Sequence, residues 1–103
     1  APSTAAYLAW TAALKAGNKA KLLELASPDV RKMIDQPDFA EKLALVQSMA
    51  PTNLKVLKAA ETGDEARLTV TGVRDGDSMT GTITMMRQAG KWLLIKESWK
   101  SGQ

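Results

Sequence analysis

The 103-residue chain contains no cysteine and no histidine. Without them it has neither the thiolate nor the imidazole ligands on which zinc, copper and haem sites are usually built. Disulfides, thiol catalysis and a Ser-His-Asp relay are excluded with them. Aromatic residues are also scarce, with three Trp, one Tyr and one Phe. No apolar run approaches the roughly twenty residues that a membrane-spanning helix requires. Fourteen Lys and Arg stand against eleven Asp and Glu, a formal charge of +3. The basic residues are spread along the chain, and Lys15, Lys19, Lys21, Arg31 and Lys32 alternate with apolar and acidic residues as on ordinary solvated helix faces. A nucleic-acid surface collects its cations on one face or helix, so no nucleic-acid partner is expected.

What is present divides at Pro51, with helix signals before it and strand signals after it. Segregated helices followed by hairpin-linked strands indicate an α+β domain whose antiparallel sheet is covered on one face. A chain of this length forms one domain, spanning residues 1–103, that buries roughly two-thirds of its unfolded surface.

Ser3 is a candidate cap for a first helix over Thr4–Ala16 that ends at Gly17. Tyr7, Trp10 and Leu14, together with Leu8 and Thr11, follow helical spacing and predict an apolar stripe facing the sheet. Asn18 caps a short helix over Lys19–Ala26, and Ser27-Pro28 breaks it and starts a further turn through Met33 and Ile34. Asp38 with Glu41 has the spacing of a capping box, and Phe39, Leu43, Val46 and Met49 mark the expected buried face of the last helix.

The strand half is written in hairpins. Leu54, Val56 and Leu57 lie in a first strand over Asn53–Glu61, and Thr62-Gly63-Asp64 is a turn. Ala66, Leu68 and Val70 then alternate with Arg67, Thr69 and Thr71. Asp75-Gly76 suits the positive dihedrals of a tight primed turn, and pairs this strand with Met79–Arg87. Asp75-Gly76-Asp77-Ser78 has the opening of a calcium loop but lacks its later oxygen ligands and distal Glu, so it reads as the turn alone. After Ala89-Gly90 the strand Lys91–Lys100 carries Trp92, Leu93, Leu94, Ile95 and Trp99, too many apolar residues for one face. A central position, or cover on both sides, is the expectation. Threonines alternating on paired strands point to a second, solvated sheet face.

The order helix, short helix, breaker, helix, then antiparallel meander resembles the nuclear transport factor 2-like, or cystatin-like, superfamily and its small bacterial members. The resemblance lies in Ala13-Leu14-Lys15-Ala16-Gly17-Asn18, in Leu22-Leu23-Glu24-Leu25-Ala26-Ser27-Pro28 and in Gly90-Lys91-Trp92-Leu93-Leu94-Ile95. It implies a cone in which a curved four-stranded antiparallel sheet wraps around N-terminal helices in its concave face. It also implies a sheet face that commonly forms dimers, and a bacterial exported or lipoprotein setting. The opening Ala1-Pro2-Ser3 fits the end left by signal-peptide removal, and equally a trimmed start. Enzymes of this superfamily, such as ketosteroid isomerase, place acids, a Tyr or a His at the base of the cone, and this chain lacks His.

No cofactor, metal or catalytic residue is expected. Tyr7, the single tyrosine, reads as a core aromatic with its hydroxyl at the rim, and the aspartates fit helix starts and turns. Glu97 stands apart. Either it shares an inward side with Ile95 and Trp99, or that side is solvated and Trp92 with Leu94 is inside. Trp10, Trp92 and Trp99 cannot all lie at one depth, and a partly exposed Trp beside Met85 or Met86 on the Thr-rich face would suit a partner or second subunit. Tyr7, Trp10, Met85, Glu97 and Trp99 are therefore the candidate contact residues. Three functions compete: a non-catalytic binding or accessory module of the bacterial envelope contacting a protein partner or small apolar ligand, an isomerase- or cyclase-type enzyme using an acid in the cone, and a structural domain of a longer chain whose hollow is filled by Met33, Met49 and Met85.

Overall fold

The computed structural model describes residues 1–102. Four helices, α1 (Pro2–Ala16), α2 (Lys19–Leu25), α3 (Pro28–Ile34) and α4 (Phe39–Met49), precede four strands, β1 (Thr52–Thr62), β2 (Glu65–Arg74), β3 (Asp77–Gln88) and β4 (Lys91–Ser101). The strands form one curved antiparallel sheet in the order β1-β2-β3-β4. The helices lie against its concave face, and the core between them includes Tyr7, Trp10, Leu22, Ile34, Leu68, Val70, Ile83, Met85, Trp92 and Leu94. Leu22, Leu68 and Ile83 are fully buried, each worth about 1.5–3 kcal/mol of transfer free energy.

Local chemistry explains most boundaries. Gly17 adopts φ 67°, and the N–H groups of Gly17 and Asn18 bond back to Leu14 and Ala13, closing α1 in a Schellman turn. Asn18 Oδ1 accepts from the Lys21 N–H, and Ser27 Oγ from the Val30 N–H, so each side chain starts the next helix. The segment expected as a single turn after Ser27 is the two-turn helix α3. Two expected caps take a different form. Ser3 lies inside α1, fully buried, and both its N–H (2.9 Å) and its hydroxyl (2.6 Å) donate to Glu61 Oε2 from β1. A carboxylate from the sheet thus covers the positive end of the helix, a partner that local sequence cannot reveal. Asp38 makes no side-chain cap to α4; it pairs with Lys42 one turn on.

All three hairpins have two-residue turns. Asp75 (φ 52°) and Gly76 (φ 79°) connect Arg74 to Asp77, as expected for a primed turn. Ala89 (φ 52°) and Gly90 (φ 77°) connect Gln88 to Lys91 with the same signs.

Strand β4 corrects the expectation of a central position, because it is an edge strand. Its surplus of apolar residues has another cause. Met85 pairs with Leu94, Thr84 with Lys96 and Ile83 with Glu97, so Ile95 is an extra residue in a bulge. The bulge reverses the alternation of sides along the strand. Trp92 and Leu94 before it, and Glu97 and Trp99 after it, therefore all face the helices. Part of the β4 edge is closed by Ser27, whose N–H donates to the Leu94 carbonyl at 2.9 Å.

The same register arranges the outer face in cross-strand rows. Ala60, Arg67, Thr84 and Lys96 form one; Lys58, Thr69, Thr82 and Ser98 form the next; Lys55, Thr71, Thr80 and Lys100 form a third. No helix covers them, and all their side chains are exposed or half-buried. This is the solvated threonine face expected from the alternation.

Candidate functional site

The site grows from the bulge in β4. Glu97 is turned toward α1, where Tyr7 occupies the middle of the stripe Ser3, Tyr7, Trp10 and Ala13, the buried side of that helix. The Tyr7 hydroxyl donates to Glu97 Oε2 at 2.7 Å, and Trp99 Nε1 donates to the same oxygen at 2.8 Å. No donor among the described residues reaches Glu97 Oε1. Tyr7 is fully buried. Its phenol is pushed far above the ordinary tyrosine range, chiefly by burial and further by the charge and hydrogen bond of Glu97.

Trp99 is placed by a glycine. Gly81 is its cross-strand partner, and a Cβ built there would lie 2.7 Å from the indole ring. The ring therefore lies flat over Gly81, its N–H directed along the strand to Glu97. Trp10 and Trp92 sit in the core, and Trp99 is half-buried at its edge. Trp10 Nε1 is buried without a hydrogen-bond partner among the described residues.

Above these residues is a hollow of about 590 Å³, bounded by Trp10, Leu14, Ile34, Glu97 and Trp99 beneath and by α4 above. A second hollow of about 520 Å³ lies on the Tyr7 side of α4. Leu14, Val46, Ala50, Pro51, Glu97 and Trp99 border both, so they are two openings onto one site. The linings are predominantly apolar, with Lys42, Arg74 and Lys96 at the borders of the first and Lys15 at the second. Among the described residues, Glu97 is the only carboxylate in either.

Helix α4 is where expectation and structure differ most. Phe39, Leu43, Val46 and Met49 were expected to be its buried face, yet no residue of α4 is buried. Leu45 is 61 % and Met49 49 % exposed. Gln47 Nε2 donates to the Leu14 carbonyl at 2.8 Å, and Arg74 donates to the Met49 carbonyl at 3.3 Å. Phe39 and Leu43 are half-buried against the core, as expected of that face, whereas Val46 and Met49 stay exposed, so the helix is held at its start and by these two bonds and spans the hollow without filling it. A stripe lining a cavity has the same spacing as a stripe packed in a core, so periodicity alone does not separate them.

The five candidate contact residues fall into three places. Tyr7, Glu97 and Trp99 form one hydrogen-bonded group at the hollow. Trp10 forms part of its floor. Met85 is buried in the core, on the helix side of β3, and reaches neither the hollow nor the outer face. The partly exposed tryptophan expected beside the threonine face lies on the opposite side of the sheet, because the bulge carries Trp99 inward. Met33 and Met49, expected as filling, line the hollow with much of their surface exposed.

No family model and no curated protein matches the chain. Solved structures do. An NTF-2-like protein of unknown function from Silicibacter pomeroyi superposes with TM-score 0.67 at 15 % identity, over 98 % of this chain and 93 % of that one. A SEC-C motif containing protein from Rhodopseudomonas palustris gives TM-score 0.67 at 18 % identity, over 85 % of this chain and 70 % of that one. A de novo designed protein with a curved β-sheet gives 0.56 at 15 % identity, with 92 % of each chain covered. At such identities the likeness concerns the fold, which is nuclear transport factor 2-like.

Proposed function

We propose that this domain is a non-catalytic binding module that holds a small, largely apolar ligand in its cone, with Glu97 as the polar anchor. The observation that carries the reading is the apolar hollow of about 590 Å³ beneath an unburied helix, with one carboxylate at its base. That volume falls within the range of small-molecule sites, which pair apolar walls with a few fixed polar groups. Glu97 is held by Tyr7 and Trp99, while its second oxygen faces no donor among the described residues, a place for a hydroxyl or N–H on the ligand. A proton-transfer enzyme would require a second acid or base free to act at the reacting atoms; Tyr7 borders the second hollow beside Glu97, but its buried hydroxyl is already committed to Glu97 Oε2, which favours an anchor over a catalytic pair. The resemblance of the sequence to small exported bacterial proteins supports assignment to the cell envelope, as an accessory domain.

Titration with a neutral apolar dye such as N-phenyl-1-naphthylamine tests the binding reading. Saturable uptake at one site per chain is expected, and Val46→Trp, which fills the space shared by both openings, should abolish it while the fold persists. Uptake that never saturates, or that Val46→Trp leaves unchanged, removes the proposal. Turnover of a model ketosteroid that Glu97→Gln eliminates would replace it with the enzymatic alternative.

A further inference from the structure

We infer that the outer face of the sheet is an electrostatic docking surface for an anionic lipid bilayer. The cations that look scattered in sequence are gathered by strand register. Lys55, Lys58, Arg67, Lys96 and Lys100 occupy three adjacent cross-strand rows, separated mainly by threonine and serine hydroxyls. All five are exposed. None takes part in an ion pair among the described residues. With strands about 4.8 Å apart and about 7 Å between alternate residues, the patch measures roughly 14 Å in each direction. The rows hold no carboxylate; Glu61 and Glu97, each adjacent in the chain to a row position, point to the helix side, and the nearest on the outer face is Glu65, in the next row beside Met86. Five cations on one face exceed the +3 of the whole chain, so the remainder is net negative. The domain therefore has an electrostatic direction.

Charge and shape together select the occupant. A second copy meeting this face through a two-fold axis would bring cation against cation, which disfavours the sheet-face dimer suggested by resemblance. Single-stranded nucleic acid is bound with aromatic side chains on which bases stack, and Tyr7, Trp10, Phe39, Trp92 and Trp99 all belong to the core or its border on the helix side. A duplex groove is read by an inserted helix or ribbon, and this face projects none. The domain is a slab of 36 × 35 × 18 Å, presenting a broad face. A plane of phosphate headgroups meets all five cations at once and asks for neither stacking nor insertion. Hydroxyls between the cations add hydrogen-bond donors for the same oxygens.

The test is co-sedimentation of the chain with vesicles of phosphatidylcholine alone or mixed with phosphatidylglycerol. Binding to the mixed vesicles only is expected at about 0.02 M salt, with loss at about 0.5 M as screening shortens the range of the charges. Each cation near an anionic surface is worth roughly fivefold in partitioning, so Lys58→Gln/Arg67→Gln/Lys100→Gln should weaken binding on the order of 100-fold. A helix-side control with the same change of charge, Lys15→Gln/Lys19→Gln/Lys32→Gln, should weaken it far less. If the face variant fails to fold, the single changes Lys58→Gln and Lys100→Gln serve, each with a roughly fivefold effect. Equal loss in the face and control variants, binding to phosphatidylcholine alone, or tighter binding to a DNA duplex at the same salt would overturn the inference. None of these outcomes depends on whether the cone holds a ligand.

Discussion

Replacing Tyr7 by Phe separates the contribution of the buried hydroxyl from that of the ring, and pH makes the separation quantitative. At neutral pH the change removes a hydrogen bond to a carboxylate, at 2.7 Å in a partly buried setting, and a loss of about 1.5–3 kcal/mol is expected. In the unfolded chain Tyr7 ionises near pH 10, whereas in the folded chain burial and Glu97 keep it protonated well above that. Folding therefore retains a proton that unfolding releases. Stability from this source is complete below about pH 10 and falls with a slope of about 1.4 kcal/mol per pH unit above it. At about pH 11 the wild type should have lost about 1.4 kcal/mol that Tyr7→Phe does not lose. The advantage of the wild type over the variant should then shrink to between about 0 and 1.6 kcal/mol. Urea denaturation of both proteins at stepped alkaline pH measures the difference and cancels the lysines, which titrate in both. Because the chain has a single tyrosine, phenolate absorbance is a direct second readout and should appear only with unfolding. A phenolate signal with a midpoint near the ordinary value in protein that is still folded would refute the reasoning, as would parallel stability curves.

Acid titration gives the mirror case at Glu61. The Ser3 hydroxyl, then the Ser3 N–H, hold its carboxyl below the ordinary glutamate range, so its contribution is present above that range and disappears as pH falls through the lowered folded value. Glu61→Gln should flatten this acid limb in thermal scans; an unchanged limb would show that the carboxylate does not cap α1. Gly81→Ala places a methyl 2.7 Å from the Trp99 indole and should cost about 1–3 kcal/mol as overpacking. It should also displace Trp99 from Glu97, detectable as a red shift of tryptophan emission that Gly72→Ala does not reproduce. Ala89 sits at φ 52° in a primed turn, where a residue other than Gly, Asn or Asp costs about 1 kcal/mol or more. Ala89→Asn should raise stability by about 1 kcal/mol, and a neutral or negative change in chemical denaturation would show that the strain is absorbed elsewhere.

Much of the architecture is legible in residues that act locally. Gly17, Asn18, Ser27-Pro28 and Asp75-Gly76 mark boundaries because each satisfies or redirects backbone groups within a few positions, and the alternation of Ala66, Leu68 and Val70 gives the inward side of β2 without reference to any other strand. What fails to show in the sequence depends on distant partners. Ser3 resembles a cap until Glu61, 58 residues away, is seen to supply the carboxylate. Phe39, Leu43, Val46 and Met49 have the spacing of a core helix, and only the position of α4 above the hollow shows that they line a cavity. The cations of β1, β2 and β4 appear dispersed because neighbours in the sheet are far apart in the chain.

The bulge at Ile95 shows how a single residue joins these levels. With regular alternation, Glu97 and Trp99 would fall on the side opposite Trp92 and Leu94, and two incompatible readings of β4 would compete. One inserted residue brings Trp92, Leu94, Glu97 and Trp99 inward together and leaves out only Ile95, exposed on an edge strand, where a bulge disrupts the fewest hydrogen bonds. It also sorts the charges. Glu97 turns inward to the hollow, while Lys96 and Lys100 remain outward in line with Arg67, Lys58 and Lys55. Removing Ile95 would restore simple alternation and exchange the sides of everything on one flank of the deletion. If the carboxy-terminal flank moved, the Tyr7–Glu97 bond and the outward lysines would be lost together, so the anchor of the cone and the basic face both follow from the same irregularity.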